Sequence, residues 1–139
     1  MKVVLDTDVL IAGLRSPSGA SAELLRLARR SRFTLLVSVP LFIEYEAQCT
    51  VAEHMAEAGL VQKDVDDFLD ALAAIAQPVA IHYSWRPQLR DPADEMVLET
   101  AVNGVAQILV TFNRRDFGTA PGRFGIEMLL PSEALRRLR

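Results

Sequence analysis

Acidic side chains recur at one kind of position in this chain: directly after a short apolar run, or in the first turns of the helix that follows it. Asp6 follows Val3-Val4-Leu5, and Asp8 stands two residues further on. Glu44 falls early in the helix expected after the β-rich stretch from Phe33 to Val39. Asp94 falls in the first turn of another helix, and Asn113 and Asp116 follow the apolar stretch that ends at Thr111. Three or four carboxylates packed together repel one another and hold their protons more tightly. A hard divalent cation with oxygen ligands removes that conflict, and magnesium or manganese is the natural choice. A pair of such ions activates water and stabilises the leaving oxygen of a phosphodiester. The chain has no GxSxG elbow and no glycine-rich phosphate loop. Metal-assisted phosphodiester cleavage is therefore the reaction class the residues point to.

Each residue also has a plainer reading. Thr7, Asp8 and Asp94 can serve as helix caps. Asp91 before Pro92 reads as a turn residue, and Glu46 as a solvated helix position. Asp64, Asp66, Asp67 and Asp70 form one acidic stretch at a helix start and surface. His54 and His82 read as ordinary histidines. Trp85 after Tyr83 offers a face on which a base can stack, although packing is the commoner use. Singly, each acid is weak; as a set placed after strands and at helix starts, they define one candidate centre.

The elements that must position them follow from apolar spacing. Strands are expected at 3–5, 33–39, 78–83, 107–111 and 126–130. Helices are expected up to Leu14, over 20–30, over 41–58 with a stop near Gly59, from Lys63, from Asp91 to Gly104, and from Pro131. Residues 84–89 and 113–125 read as loops. Strands and helices alternate, which predicts a parallel sheet covered on both faces with right-handed crossovers. In such folds the site lies at the carboxyl ends of the strands, near the switch in strand order.

The 139 residues make about one domain, 1–139, large enough to bury a core without disulfides or structural zinc. Hydrophobic residues are 50% and charged residues 24%, which argues against wholesale disorder. The single cysteine, Cys49, excludes an internal disulfide and a multi-cysteine zinc cluster, and two histidines are too few for a zinc-hydrolase motif. No apolar run approaches the ~18 residues of a membrane span, and the early Asp6 interrupts any signal-peptide core. A cytoplasmic protein is the expectation. The net charge of −3 is unevenly spread: residues 1–32 carry six basic and three acidic side chains, 40–100 three and twelve, and 101–139 six and three. Basic ends around an acidic middle fit a polyanionic ligand, and fit ordinary solvated helix faces as well.

Four segments, taken in order, resemble the PIN-domain family: residues 3–10 (VVLDTDVL), 41–46 (LFIEYE), 91–95 (DPADE) and 110–117 (VTFNRRDF). The chain is similar to the VapC-type ribonucleases of bacterial toxin–antitoxin pairs, over nearly its whole length. The resemblance implies a three-layer α/β/α sandwich with a central parallel sheet and an acidic pocket. It implies a magnesium- or manganese-dependent endoribonuclease, often a homodimer, restrained by a small antitoxin protein. Position by position, Asp6, Glu44 and Asp94 match the first three acids. Many members have a fourth acid where this chain has Asn113; others rely on the position of Asp116. Asp8 stands where asparagine is more frequent. On this reading Asp6, Glu44, Asp94 and Asp116 hold metal and carry catalysis, with Asn113, Thr111, Ser38 and Asp8 in support. Arg114 and Arg115 would grip RNA phosphates at the rim, alongside Arg29, Arg30 and Arg32 as a wider basic footprint.

Two other functions compete. Asp6-Thr7-Asp8-Val9 after a strand also opens haloacid-dehalogenase-like phosphatases, with Asp6 as nucleophile and Thr111 as the threonine motif. That chemistry needs a later lysine, whereas Lys2 and Lys63 both precede Thr111. A non-catalytic PIN-like domain that binds protein or RNA is the other, and Asn113 is the feature that favours it.

Overall fold

The three strands richest in Val, Leu and Ile are buried along their length, the pattern of a parallel sheet covered on both faces. The structure, a computed structural model, describes residues 1–84 and 86–139; the base-stacking role considered for Trp85 lies outside the described residues. The chain runs β1 (Lys2–Leu5), α1 (Thr7–Arg15), α2 (Ala20–Arg29), β2 (Thr34–Ser38), α3 (Val39–Cys49), α4 (Ala52–Ala58), α5 (Gln62–Ile75) and β3 (Gln77–Val79). It continues through α6 (Pro92–Asn103), β4 (Ile108–Val110), α7 (Arg114–Phe117), α8 (Ala120–Arg123), β5 (Glu127–Leu129) and α9 (Pro131–Leu138).

The five strands form one parallel sheet in the order β3-β2-β1-β4-β5. Val3 pairs with Leu35 on one side of β1, and Leu5 pairs with Val110 on the other. α6 packs on β1 and β2, α3 on β2, and α9 on β4 and β5, completing a three-layer α/β/α sandwich. The chain grows outward from β1 to β3, then returns to the other side of β1 as β4. The switch point therefore lies between β1 and β4, and both strands end there with a polar residue, Asp6 and Thr111.

Three expectations need correction. The helix expected over 41–58 starts at Val39, with Pro40 in its first turn, and breaks at Thr50. The Thr50 hydroxyl donates to the backbone oxygens of Glu46 and Ala47. Val51 is extended, and α4 starts anew from it. The strand expected over 78–83 is only Gln77–Val79, because Asn103 ties down the chain beyond it: its Oδ1 accepts from the backbone N–H groups of His82 and Tyr83. The loop expected over 113–125 contains the single-turn helices α7 and α8, separated by Gly118 at φ +54°, a conformation that suits glycine.

Gly104, at the end of α6, permits a close helix–sheet approach. A Cβ there would stand 2.8 Å from Leu36 Cδ1 and 2.9 Å from Val79 Cγ2. This contact seats α6, and with it Asp94, against β2 and β3.

Candidate active site

Asp6 ends β1 and is the N-cap of α1, so strand and helix meet on one carboxylate. Its Oδ1 accepts from the Thr7 N–H at 2.8 Å and its Oδ2 from the Thr111 hydroxyl at 2.7 Å. The cap is thus Asp6, not Thr7 or Asp8. The side chain is buried, 6% exposed. Thr111 is held in turn, because its oxygen accepts from the Asn113 N–H at 2.9 Å. Asp8 lies one residue into the same helix. Its Oδ2 accepts from the Phe112 N–H at 3.2 Å and from Asn113 Nδ2 at 3.1 Å, while its Oδ1 is buried without a hydrogen-bond partner.

Asp94 arrives from α6. Its predicted alternative as a cap falls to Asp91, whose side chain accepts from the Ala93 N–H at 2.9 Å. Asp6, Asp8, Glu44, Asp91, Asp94 and Asn113 line one open pocket of about 570 Å³. Asp116 lines an adjoining cleft of about 520 Å³, which shares Asp91 and Asp94 with that pocket. Four chain segments thus supply the acids, and all four lie at the carboxyl edge of the sheet.

Their charges act on one another. Burial pushes the Asp6 carboxyl up to about 6, and the charges of Asp8 and then Asp116 add to it. Burial does the same for Asp8, also to about 6, with a contribution from Asp94. Asp94 is raised to about 6 by burial, followed by Asp6, Asp91 and Asp116. The donors are hard oxygens and one is unpartnered, so the pocket suits a small divalent cation. Among the described residues no three His, Cys, Asp or Glu side chains form a ready-made metal cage. Magnesium prefers one or two direct carboxylates and several retained waters to a full protein cage.

A pH dependence follows. In the unfolded chain these acids titrate near 3.8; folded, near 6. Between those values the folded state binds more protons, so stability rises as pH falls through that window. Metal-free protein in a chelator should therefore melt several degrees higher at pH 5.5 than at pH 7.5, at about 3 °C per kcal/mol for a chain of this size. Magnesium at pH 7.5 should recover the difference. Differential scanning calorimetry checks both, and a Tm that falls on acidification would contradict the first.

The other expected residues divide. Ser38 is not at this centre: its hydroxyl is buried, lies 2.6 Å from Thr100 Oγ1 and caps α3 by accepting from the Leu41 N–H. Its role is structural. Glu46 and His82 are exposed. Arg114 is paired with Glu133 at 3.0 Å, whereas Arg115 lines the adjoining cleft. Sequence reasoning missed His54 and Arg15, which line the acidic pocket with Arg15 bound to Glu57 at 2.7 Å. It also missed Glu95 and Glu99. Buried Glu95 accepts from the N–H groups of Gln88 and Leu89, both at 2.6 Å, and Glu99 accepts from Arg86 Nε at 2.7 Å. Together they fasten the segment before α6 to that helix. Their signal was faint: two acids at i, i+4 inside an otherwise apolar helix stripe.

Comparisons with known proteins agree with this architecture. The family model for the PIN domain matches residues 2–115. The fold is similar to a chain in the crystal structure of VapBC2 from Rickettsia felis bound to a DNA fragment from their promoter, with a TM-score of 0.62 and 13% identity over 94% of this chain and 98% of that one. No curated protein matches the sequence. The chain belongs to the PIN-domain family. That membership removes the haloacid-dehalogenase reading, and neither Lys2 nor Lys63 lines the acidic pocket.

Proposed function

We propose that this PIN-domain chain is a magnesium- or manganese-dependent endoribonuclease, a single nuclease domain over 1–139, acting as the toxin of a toxin–antitoxin pair. One observation carries the reading. Asp6 and Asp8 from the β1–α1 junction, Asp94 from α6 and Asp116 from α7 meet at the sheet edge, where burial and then neighbouring charge raise the proton affinity of Asp6, Asp8 and Asp94. A fold gains nothing in stability from such an arrangement; a cation-dependent site needs it. When bound, the divalent ion would supply a nucleophilic water and charge neutralisation at the phosphate.

The roles of the residues follow from their contacts. Asp6, Glu44 and Asp94 would hold the metal, and Asp116 would complete the set from the cleft side. Thr111 keeps the Asp6 carboxylate aimed through the 2.7 Å hydrogen bond. Asn113 fixes Asp8 and leaves its second oxygen free for a cation or a metal-bound water. Arg115, with Arg114 behind it, would meet the RNA backbone. The likeness to the VapBC2 structure supports a small antitoxin as partner. Val39 and Ile43, exposed at 72% and 59% one turn apart on α3, offer an apolar contact for a homodimer. No described helix is long and apolar enough to cross a membrane; action on RNA of the cell that makes the chain would place it in the cytoplasm.

The test is cleavage of total cellular RNA by purified protein in manganese, with a chelator control. Manganese-dependent fragmentation at internal positions is expected. A metal-indifferent protein that binds RNA and leaves it intact would establish the non-catalytic reading, which the engagement of Asn113 with Asp8 favours.

A further inference from the structure

Arg90, Arg115 and Arg123 come from three places in the chain: the turn before α6, the helix α7 and the end of α8. All three line the cleft of about 520 Å³ beside the acidic pocket. All three are exposed. None takes part in an ion pair among the described residues, whereas Arg15, Arg26, Arg86, Arg114 and Arg137 each have a carboxylate partner. An unpaired guanidinium is common on a surface. Three on the walls of one cleft are a different matter: Asp91, Asp94 and Asp116 line it too but leave all three guanidinium groups unpaired, so each stays available to a polyanion.

The carboxylates that face them narrow the choice. Asp91 is occupied as the cap of α6, and Asp94 and Asp116 belong to the acidic centre. A free anion here would meet those acids as well as the arginines. A phosphodiester strand meets both sets usefully, with one phosphate on the acid side, where a cation would sit, and its neighbours along the arginines. The cleft has the volume of a site for a small ligand. That admits one or two nucleotides of a single strand and no duplex.

We infer that this cleft is a phosphate subsite in which Arg90, Arg115 and Arg123 hold the single-stranded RNA backbone next to the phosphate that is cleaved. The inference rests on the ribonuclease reading for its choice of polyanion, and it assigns the grip to Arg90 and Arg123 rather than to Arg114, which Glu133 already engages. The guanidinium fork suits non-bridging phosphate oxygens, which it meets two at a time. The subsite sets the register of the strand and reads no bases.

Counterion release gives the test. Single-stranded binding falls with salt at a slope of about −0.7 per neutralised phosphate. Fluorescence anisotropy of a labelled twelve-nucleotide single-stranded RNA, with the wild-type protein in chelator, measures that slope. Arg90→Ala and Arg123→Ala should each lower it by about 0.7 and weaken binding about fivefold at 0.1 M salt. Arg136→Ala, on α9 and lining neither the cleft nor the acidic pocket, should change neither, and the Tm of all three variants should match that of the wild type. The cleft assignment is overturned if the Arg136 variant loses as much as the others, if wild-type protein binds no RNA at low salt, or if an oligoglutamate peptide competes as well as RNA. In parallel, kcat/KM for RNA in manganese separates the two ideas. Cleavage indifferent to Arg90 and Arg123 leaves the nuclease standing and removes the subsite. Arginine-dependent binding without cleavage retains the subsite and removes the nuclease.

Discussion

Asp6→Asn should lower manganese-dependent RNA cleavage by about 10³-fold and, in the same protein, raise the melting temperature. The two effects share one cause. The carboxylate of Asp6 is buried against Asp8, with Asp116 adding to the repulsion, and all three influences favour its neutral form. An amide is neutral at every pH and nearly the same shape. Its oxygen keeps the bond from the Thr7 N–H, and its nitrogen meets the Thr111 hydroxyl, which turns to accept. Removing the charge therefore relieves desolvation and repulsion, by about 1 kcal/mol or more, which corresponds to a Tm about 3 °C higher. It also removes the donor at the switch point of the sheet. A residue with a purely structural role would show the opposite sign in stability. Steady-state cleavage and calorimetry on one preparation check both; undiminished activity would remove Asp6 from the catalytic set.

Glu95→Ala should be the most damaging change outside the acidic centre. Glu95 is 3% exposed, and its Oε1 accepts two backbone N–H groups at 2.6 Å. Truncation strands both donors near the interior, at about 1–3 kcal/mol for each group left unpaired. A drop in Tm of about 10 °C is expected. The segment released is the one that leads into Asp91 and Asp94, so kcat should fall about 10²-fold as the acid drifts from its place. Glu95→Gln keeps an oxygen for the two donors and should restore most of both losses. That rescue separates a positioning residue from one that acts on substrate, because the charge itself is dispensable. If Glu95→Gln were as inactive as Glu95→Ala while folding normally, the carboxylate would have to be counted among the reacting groups.

Much of the architecture was legible from apolar spacing. Val3-Val4-Leu5 and Ile108-Leu109-Val110 are too short and too uniformly apolar to be surface elements, and each is followed by a polar residue. That pairing is enough to forecast a parallel sheet with acids along one edge. What escaped depends on chain paths that no local pattern encodes. Four-residue helices such as α7 complete barely one turn, so periodicity cannot reveal them. Ser38 looked like a strand-end ligand because its position resembles that of Thr111. The difference is the neighbour: Thr100 and the Leu41 N–H reach Ser38, while Asp6 reaches Thr111. Arg90 and Arg123 were invisible as a pair, since 33 positions separate them and only the turn held by Glu95 brings them to the same cleft.

The join between Asp6 and Thr111 spans 105 positions of chain. Synthesis delivers Asp6, Asp8 and Glu44 early, and Asp94, Thr111 and Asp116 late. A nascent polypeptide still threaded through the ribosome's exit tunnel thus holds half the acids on a sheet that lacks β4, with the Thr111 hydroxyl not yet there to fix the second oxygen of Asp6. The machine that builds this chain is itself made largely of RNA, and on the proposed ribonuclease reading the strand order lets the acidic centre close only once Thr111 has left the tunnel.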